Sequence, residues 1–128
     1  KKERIPNAHL LHGNGTVFLN DACPDNCLHR VFIFHPDPWL KKRHIKRRLI
    51  NTSFLTQLHP KLISNARIYI CTDVALLADD IQSQFNHCSH YRSEDAKTHW
   101  PKDYETHWSE FSSKDDRVLF NFIYKKNV

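Results

Sequence analysis

The sequence contains only two glycines, Gly13 and Gly15, and no methionine. Dinucleotide- and phosphate-binding folds use a glycine-rich turn between a strand and a helix to bring the backbone close to a ligand. Residues 1–128 contain no such turn. Since Lys1 is not an initiating methionine, we expect that a preceding segment has been removed.

Long apolar runs are also missing. No stretch approaches the roughly 18 uninterrupted apolar residues of a membrane span. The basic segment 1–15 has no apolar core of signal-peptide length. We therefore expect a soluble, cytoplasmic protein. With 40% apolar and 12% aromatic residues, the chain has enough hydrophobic side chains for a single domain over 1–128.

The sequence has no Cys-x-x-Cys pair. The four cysteines are Cys23, Cys27, Cys71 and Cys88. Cys71 lies in an apolar run, where a reduced thiol packs as a small hydrophobic group, and we interpret all four as free thiols. Cys23 and Cys27 with His29 have a spacing that zinc accepts, and the segment 87–90 ("HCSH") holds further potential ligands. Because these two half-sites are well separated in the sequence, we predict no metal site.

Positive charge is concentrated in one short segment. The formal net charge is +5, and six cations between positions 41 and 48 exceed it on their own. A dense cationic patch favours a polyanionic partner, because neutralising phosphates releases condensed counterions. A solvated helix face or a localisation signal would have the same composition, so charge alone leaves these alternatives open.

The apolar pattern predicts an α/β fold. "RVFIF" at 30–34 and "ARIYI" at 66–70 are typical of buried strands. Between them, apolar residues at helical spacing predict a helix that begins near 51–53 and is shortened by Pro60. A strand, a helix and a second strand of this length indicate a right-handed parallel crossover.

The remaining elements are assigned in the same way. A second helix is predicted over about 72–85, with Asp73 near its positive end, and a closing strand over 117–126. A short strand at 7–13 and a short helix at 16–22 are predicted at the front, whereas 86–108 is predicted to be polar loop. This pattern corresponds to the second half of an open α/β sheet, and we expect the first half to be absent from the chain.

Two acidic residues follow the two main predicted strands. Asp37 comes after the first strand and Asp73 after the second, and the carboxyl ends of parallel strands meet at the edge where open α/β sheets bind ligands. We therefore predict that both carboxylates share one site. Pro36 and Pro38 restrict the backbone on either side of Asp37, and Trp39 follows, available for stacking or packing. The alternative is that Asp73 only caps a helix and Asp37 only shapes a turn.

Three segments resemble the signature of the tRNA (guanine-N(7)-)-methyltransferases: "HPDPWLKKRHIKRRLI" at 35–50, "TD" at 72–73 and "PKDYE" at 101–105. The first block is the most specific, because its positions agree in order without a gap. The resemblance implies a Rossmann-like class I methyltransferase fold, of which this chain would be the C-terminal half of the doubly wound sheet, without the glycine-rich cofactor half. It also implies S-adenosyl-L-methionine as methyl donor, no metal, and guanine N7 in the tRNA variable loop as target.

The same resemblance assigns roles to individual residues. Asp37 corresponds to the catalytic acid, and Asn14 and Asp37 to cofactor contacts. The implied substrate-binding residues are Lys41, Asp73, Lys102, Asp103, Tyr104 and Glu105. The implied contacts to the RNA backbone are Lys42, Arg43, His44, Lys46, Arg47 and Arg48. This sequence departs from the family pattern at His35, where Phe is usual, at Asn14, where Asp is usual, and at Lys102, where Thr is usual.

The residues suit this chemistry. Guanine N7 carries a lone pair and no hydrogen, so its methylation requires in-line geometry and stabilisation of a purine cation rather than a general base. A fixed carboxylate at Asp37 would stabilise that cation, while Asp73 and Glu105 would orient the base. Two functions remain open. One is an incomplete tRNA methyltransferase chain that is inactive alone, and the other is a non-catalytic RNA-binding remnant, which Asn14 and Lys102 favour. The oligomeric state and any accessory subunit are undetermined.

Overall fold

One four-stranded sheet organises the chain in the computed structural model, which describes residues 5–104 and 106–128. The strands are β1 (Leu28–Phe34), β2 (Leu62–Thr72), β3 (Tyr91–Glu94) and β4 (Phe120–Lys126). The α-helices are α1 (Gly15–Asp21), α2 (Thr52–Leu58), α3 (Ala75–Asn86), α4 (Ala96–His99) and α5 (His107–Lys114). Two 3-10 helices cover Lys42–Arg47 and His59–Lys61.

The strand order is β1-β2-β4-β3. β1 and β2 pair in parallel, with Val31 opposite Ile68 and Phe34 opposite Cys71. β4 runs antiparallel to both β2 and β3, so it is the one reversed strand in this sheet. The mixed α/β class predicted from the sequence is confirmed, including the strand, helix and strand crossover from β1 to β2.

Local sequence explains where the helices begin and end. α2 begins after Asn51, whose side chain accepts a hydrogen bond from the Phe54 amide at 2.9 Å. It gives way to a 3-10 turn at Pro60, because proline lacks the amide hydrogen that another helical turn needs. α3 begins at Ala75 and has no side-chain cap. The role of Asp73 is therefore not that of a helix cap.

The two faces of the sheet differ in what covers them. Alternate side chains of β2, such as Ile68 and Ile70, are fully buried in a core that also contains residues of α1, α2 and α3. The opposite face carries Phe32 and Tyr69, whose rings stack at 5.0 Å. The residues beyond α4 cover this second face, where Tyr104 contacts the Phe32 ring edge-on.

Two sequence predictions are wrong. Residues 7–13 are irregular and exposed rather than a strand, because none of the described strands lies beside them to pair with their backbone groups. Residues 86–108, predicted to be loop, contain β3, α4 and the start of α5. β3 is polar, but its buried Tyr91 donates a hydrogen bond to the Leu55 carbonyl at 2.6 Å, which fixes the strand against α2.

The other predicted elements are present with shifted limits. The front helix spans 15–21, and the closing strand begins at residue 120 rather than 117. None of the helices within the described residues is long and apolar enough to cross a membrane.

Neighbouring leucines of α3 provide a test of the core. Leu77 is 2% exposed and Leu76 is 66% exposed. We expect Leu77→Ala to lower the free energy of unfolding by about 2–5 kcal/mol, because it leaves a cavity, and Leu76→Ala to change it by less than about 0.5 kcal/mol. Denaturant unfolding of both variants measures the difference. Since both changes alter helix propensity equally, similar losses would show that α3 does not pack as described.

Candidate functional site

Residues 35–39 form a short arch after β1. The His35 amide donates to the Cys71 carbonyl at 2.8 Å and so extends the strand pairing by one residue. His35 and Trp39, at the two ends of the arch, have left-handed backbone angles, with φ of 48° and 44°. The prolines between them have a fixed φ. The arch presents Asp37 to solvent, and within the described residues this carboxylate forms no hydrogen bond or ion pair.

Arg48 holds the arch from inside. Its Nε donates to the Pro38 carbonyl at 2.8 Å, and its guanidinium lies 3.1 Å from Asp80 of α3. The residue is only 7% exposed. The predicted contact of Arg48 with the RNA backbone stays a prediction, but its burial and its bonds to Pro38 and Asp80 argue against it.

Asp37 and Asp73 line the same open cleft, the Asp37–Asp73 cleft, which has a volume of about 620 Å³. The predicted meeting of the two acids at one edge of the sheet is confirmed. His35, Thr106, Trp108 and Arg117 also line this cleft. Its two sides therefore come from the arch and from the region around α5.

The negative charge of Asp73 is already compensated. Its Oδ2 accepts hydrogen bonds from Ser112 at 2.9 Å and from Arg117 at 3.1 Å, and its side chain is 8% exposed. Burial raises the pKa of Asp73, but the hydrogen bonds from Ser112 and Arg117 outweigh burial and hold this pKa below its ordinary value. Asp73 is thus ionised and paired, whereas Asp37 has no such partner among the described residues.

His35 lies beside Asp73 as a neutral side chain. Burial lowers the pKa of His35, although the Asp73 charge acts in the opposite direction. Its Nδ1 is buried without a hydrogen-bond partner, 3.8 Å from Oδ1 of Asp73, which is too long for a hydrogen bond. On its other side, Nε2 approaches the Ser109 hydroxyl at 3.4 Å and the Cys71 thiol at 3.8 Å. These three residues form a partition at the base of the cleft.

The late predicted substrate residues lie beyond this partition. Lys102 and Tyr104 line a separate cleft of about 440 Å³, the Tyr104 cleft, together with Cys71 and Ser109. Asp103 lies with Tyr104 beside the aromatic residues of β1. The structure therefore does not place these three residues in the Asp37–Asp73 cleft. Glu105, predicted to bind substrate, lies outside the described residues.

Asn14 reaches the arch from the opposite side. It caps α1, and its side-chain oxygen accepts a hydrogen bond from the Thr16 amide at 2.8 Å. Asn14, Asp37, Trp39 and Arg47 line an open cleft of about 450 Å³, the Asn14 cleft. The structure thus brings together the two residues predicted to contact a cofactor, with Asp37 common to both clefts.

The cationic segment 41–47, the basic turn, borders the Asn14 cleft. Within it, His44 is half-buried, and the lysine and arginine residues are exposed: Lys41, Lys42, Arg43, Lys46 and Arg47. The Arg47 guanidinium lies 5.3 Å from the centre of the Trp39 ring, within cation–π range. The His44 ring meets the same tryptophan edge-on at 5.6 Å. Trp39 is therefore held by the basic turn.

Sequence reasoning missed the second side of the Asp37–Asp73 cleft. Ser112 and Arg117 orient Asp73, and they come from α5 and the segment after it, which had no recognisable motif. Within the described residues, no group of three or more His, Cys, Asp or Glu side chains is arranged to hold a metal ion.

Comparisons with known proteins agree with the sequence motifs. A family model described as "Putative methyltransferase" matches residues 1–121. A tRNA (guanine-N(7)-)-methyltransferase of Shewanella amazonensis is 30% identical over 115 residues, covering 89% of this chain and 48% of that protein. Proteins of the same name from Buchnera aphidicola and Hyphomonas neptunium are 34% and 51% identical over 99 and 57 residues, covering 77% and 44% of this chain.

The chain belongs to this methyltransferase family, and the resemblance to tRNA (guanine-N(7)-)-methyltransferases is confirmed. It spans less than half the length of these relatives, since the matched regions cover 48%, 41% and 26% of their chains.

The ion pair between Asp73 and Arg117 predicts that loss of the arginine changes the pKa of Asp73. We expect Arg117→Ala to raise the pKa of Asp73, because the carboxylate stays buried but loses one of its donors. NMR titration of the carboxyl carbon measures this pKa. Lys114→Ala removes a cation from α5 without touching Asp73 and is the matched control. An unchanged pKa of Asp73 in Arg117→Ala would contradict the assigned pairing.

The same pair predicts how stability depends on pH. A carboxyl whose folded-state pKa is lowered stabilises the fold above its unfolded pKa, about 4, and this contribution is lost as the pH falls through the folded-state pKa. The Arg117→Ala variant should therefore have a lower free energy of unfolding than the parent protein at neutral pH. This difference in free energy should shrink as the pH falls and Asp73 becomes protonated.

Proposed function

We propose that this chain supplies the catalytic carboxylate and the RNA-binding turn of an S-adenosyl-L-methionine-dependent tRNA methyltransferase. The enzyme would act on guanine N7 in the variable loop. The observation that carries the proposal is the position of Asp37. This carboxylate is exposed, free of protein partners within the described residues, and common to two clefts beside an exposed cationic turn. The names of the relatives support the choice of reaction and of substrate.

The geometry suits stabilisation of positive charge rather than proton removal. Two prolines and the internal hydrogen bond from Arg48 restrain the backbone on either side of Asp37, which limits where its carboxylate can lie. Because Asp37 pairs with no cation among the described residues, it is available to a guanine whose ring becomes positive as N7 is methylated. Asp73 differs in being already paired with Arg117, so in this proposal it orients the base and does not compensate charge.

The methyl donor would be held in the Asn14 cleft. S-adenosyl-L-methionine supplies an electrophilic methyl group on a cationic sulfur, and the unpaired Asp37 carboxylate fits a cation. Asn14 would donate hydrogen bonds to the methyl donor through its side-chain NH2 group, because its side-chain oxygen already accepts the bonds that cap α1. No metal is required by this arrangement.

The basic turn would bind the tRNA backbone. Contacts between cations and phosphates supply affinity, whereas RNA shape and a base turned out of its stack select the target. Lys41, at the start of the turn, would bind substrate near the arch. Lys102, Asp103, Tyr104 and Glu105 remain proposed substrate contacts, and the first three belong to a second region across the partition. A tRNA substrate agrees with a cytoplasmic location.

A second candidate function is a non-catalytic RNA-binding protein. The specific observation in its favour is Asn14, an uncharged residue whose oxygen is committed to α1. This alternative keeps the basic turn and dispenses with cofactor binding. A complete protein that binds tRNA tightly but forms no N7-methylguanosine would support it.

Asp37 is tested in the complete protein that carries this sequence. We expect Asp37→Ala to lower N7-methylguanosine formation by about 100-fold or more, the effect of losing one charge-stabilising group, while tRNA affinity stays nearly unchanged. Nucleoside mass spectrometry of a tRNA transcript measures the product. Asp79→Ala, which removes an exposed acid of α3, is the control. Full turnover by Asp37→Ala would exclude the proposed role.

The basic turn is tested by neutralising one exposed cation. We expect Arg47→Ala to weaken tRNA binding and to reduce the slope of log affinity against log salt concentration by about one, because one phosphate contact is lost. Fluorescence anisotropy with labelled tRNA measures both quantities. Arg92→Ala removes an exposed arginine on β3, at the other edge of the sheet, and should leave both unchanged. Equal effects of the two changes would exclude the basic turn as a distinct binding surface.

A further inference from the structure

Two cysteines outside the proposed active site lie next to each other. The sulfur atoms of Cys23 and Cys27 are 3.6 Å apart, in the loop that connects α1 to β1. Cys23 is buried among residues of the core, whereas Cys27 is exposed. Both thiols point towards the Pro24 carbonyl oxygen, at 3.6 Å and 3.1 Å. The Cys27 thiol is therefore accessible from solvent, and the adjacent Cys23 thiol is buried.

The loop holds the two thiols in this arrangement from both ends. The Cys23 amide donates to the Phe18 carbonyl, and the Cys27 amide donates to the Lys61 carbonyl, each at 2.9 Å. Lys61 also forms a 2.7 Å ion pair with Asp25 in the middle of the loop. These bonds restrict the distance between the sulfurs, and restricted proximity favours reaction between two groups.

Metal binding does not account for this pair. A structural zinc site uses four ligands, and in the described part of the chain no group of three or more candidate ligands is found. The separation of 3.6 Å is instead close to that needed for a covalent bond. A disulfide is about 2.05 Å long, so closure requires the sulfurs to approach by roughly 1.5 Å.

We propose that Cys23 and Cys27 are a reversible redox pair that closes into an intramolecular disulfide on reaction with a low-molecular-weight disulfide such as oxidised glutathione. This inference is independent of the proposed methyltransferase activity, because it uses neither cleft.

The reaction proceeds by two thiol–disulfide exchanges. The thiolate of exposed Cys27 attacks one sulfur of oxidised glutathione, the glutathione S–S bond breaks, and one glutathione leaves as a thiolate. Cys23 then loses its proton and attacks the Cys27 sulfur of the mixed disulfide, which releases the second glutathione. The two cysteines are oxidised by two electrons, the glutathione disulfide is reduced to two thiols, and the two cysteine protons end on them.

The environment of Cys23 agrees with this order. Burial, followed by the hydrogen bond and charge of Cys27, raises the pKa of the Cys23 thiol. Cys23 therefore remains a protonated, shielded thiol until its neighbour has reacted. Modification of Cys27 removes that hydrogen bond and charge, and so makes the second step easier.

Tryptic mapping tests the proposal because the cysteines fall into two peptides. Cleavage after Lys and Arg places Cys23 and Cys27 together in peptide 5–30, and Cys71 and Cys88 together in peptide 68–92. The protein is equilibrated in glutathione buffers of increasing oxidised fraction, quenched with acid, denatured and alkylated. We expect peptide 5–30 to lose both alkylation sites and two hydrogen atoms, peptide 68–92 to stay fully alkylated, and dithiothreitol to reverse the change.

Cys27→Ser is the decisive variant, because it changes an exposed residue. In this variant Cys23 should remain fully alkylated under oxidising conditions. Three outcomes would overturn the proposal: a stable glutathione adduct on Cys27 without closure, a disulfide that involves Cys71 or Cys88, or full alkylation of peptide 5–30 across the whole redox range.

Discussion

The parallel pairing of β1 with β2 brings together the two acids of the candidate site. With Phe34 opposite Cys71, the two strands end at the same level, and the residues that follow them meet. Asp37 and Asp73 then line one cleft although 36 positions separate them in the sequence. A slip of one residue in this register would turn the buried side chains of β2 towards the opposite face. The core packing of β2 therefore also fixes the geometry of the site.

One cationic block in the sequence performs two different physical tasks. Arg48 is buried and joins the arch to α3 through Pro38 and Asp80. The preceding cations are exposed, and Arg47 additionally supports Trp39. The internal bonds of Arg48 hold the basic turn next to the arch. The positive surface and the arch that carries Asp37 are consequently parts of one structural unit. Removing the charge of Arg48 would disturb the internal bonds of this unit, whereas removing the charge of Arg47 would change its exposed surface.

Much of this could be predicted from the sequence, and the failures have physical causes. The strands β1 and β2, the helix between them and the shared position of Asp37 and Asp73 follow from apolar periodicity and strand direction. β3 was missed because its pairing depends on β4, which comes later in the chain, and on one buried tyrosine. Arg117 was missed because nothing local distinguishes an arginine that pairs with a distant aspartate. The burial of Arg48 was not predicted because composition does not reveal which cation of a run faces inward.

The Asp37–Asp73 cleft has sides of unequal stiffness. On one side, the arch combines two prolines, two left-handed residues and the buried arginine, so few of its torsions are free to change. On the other side, Arg117 is about half exposed and reaches the cleft through a long side chain. In the proposed function, accommodation of a ligand would then come mainly from the α5 side. The arch is thus the more rigid side of the cleft, and in the proposed function it would set the shape of the site at Asp37 while the α5 side adjusts.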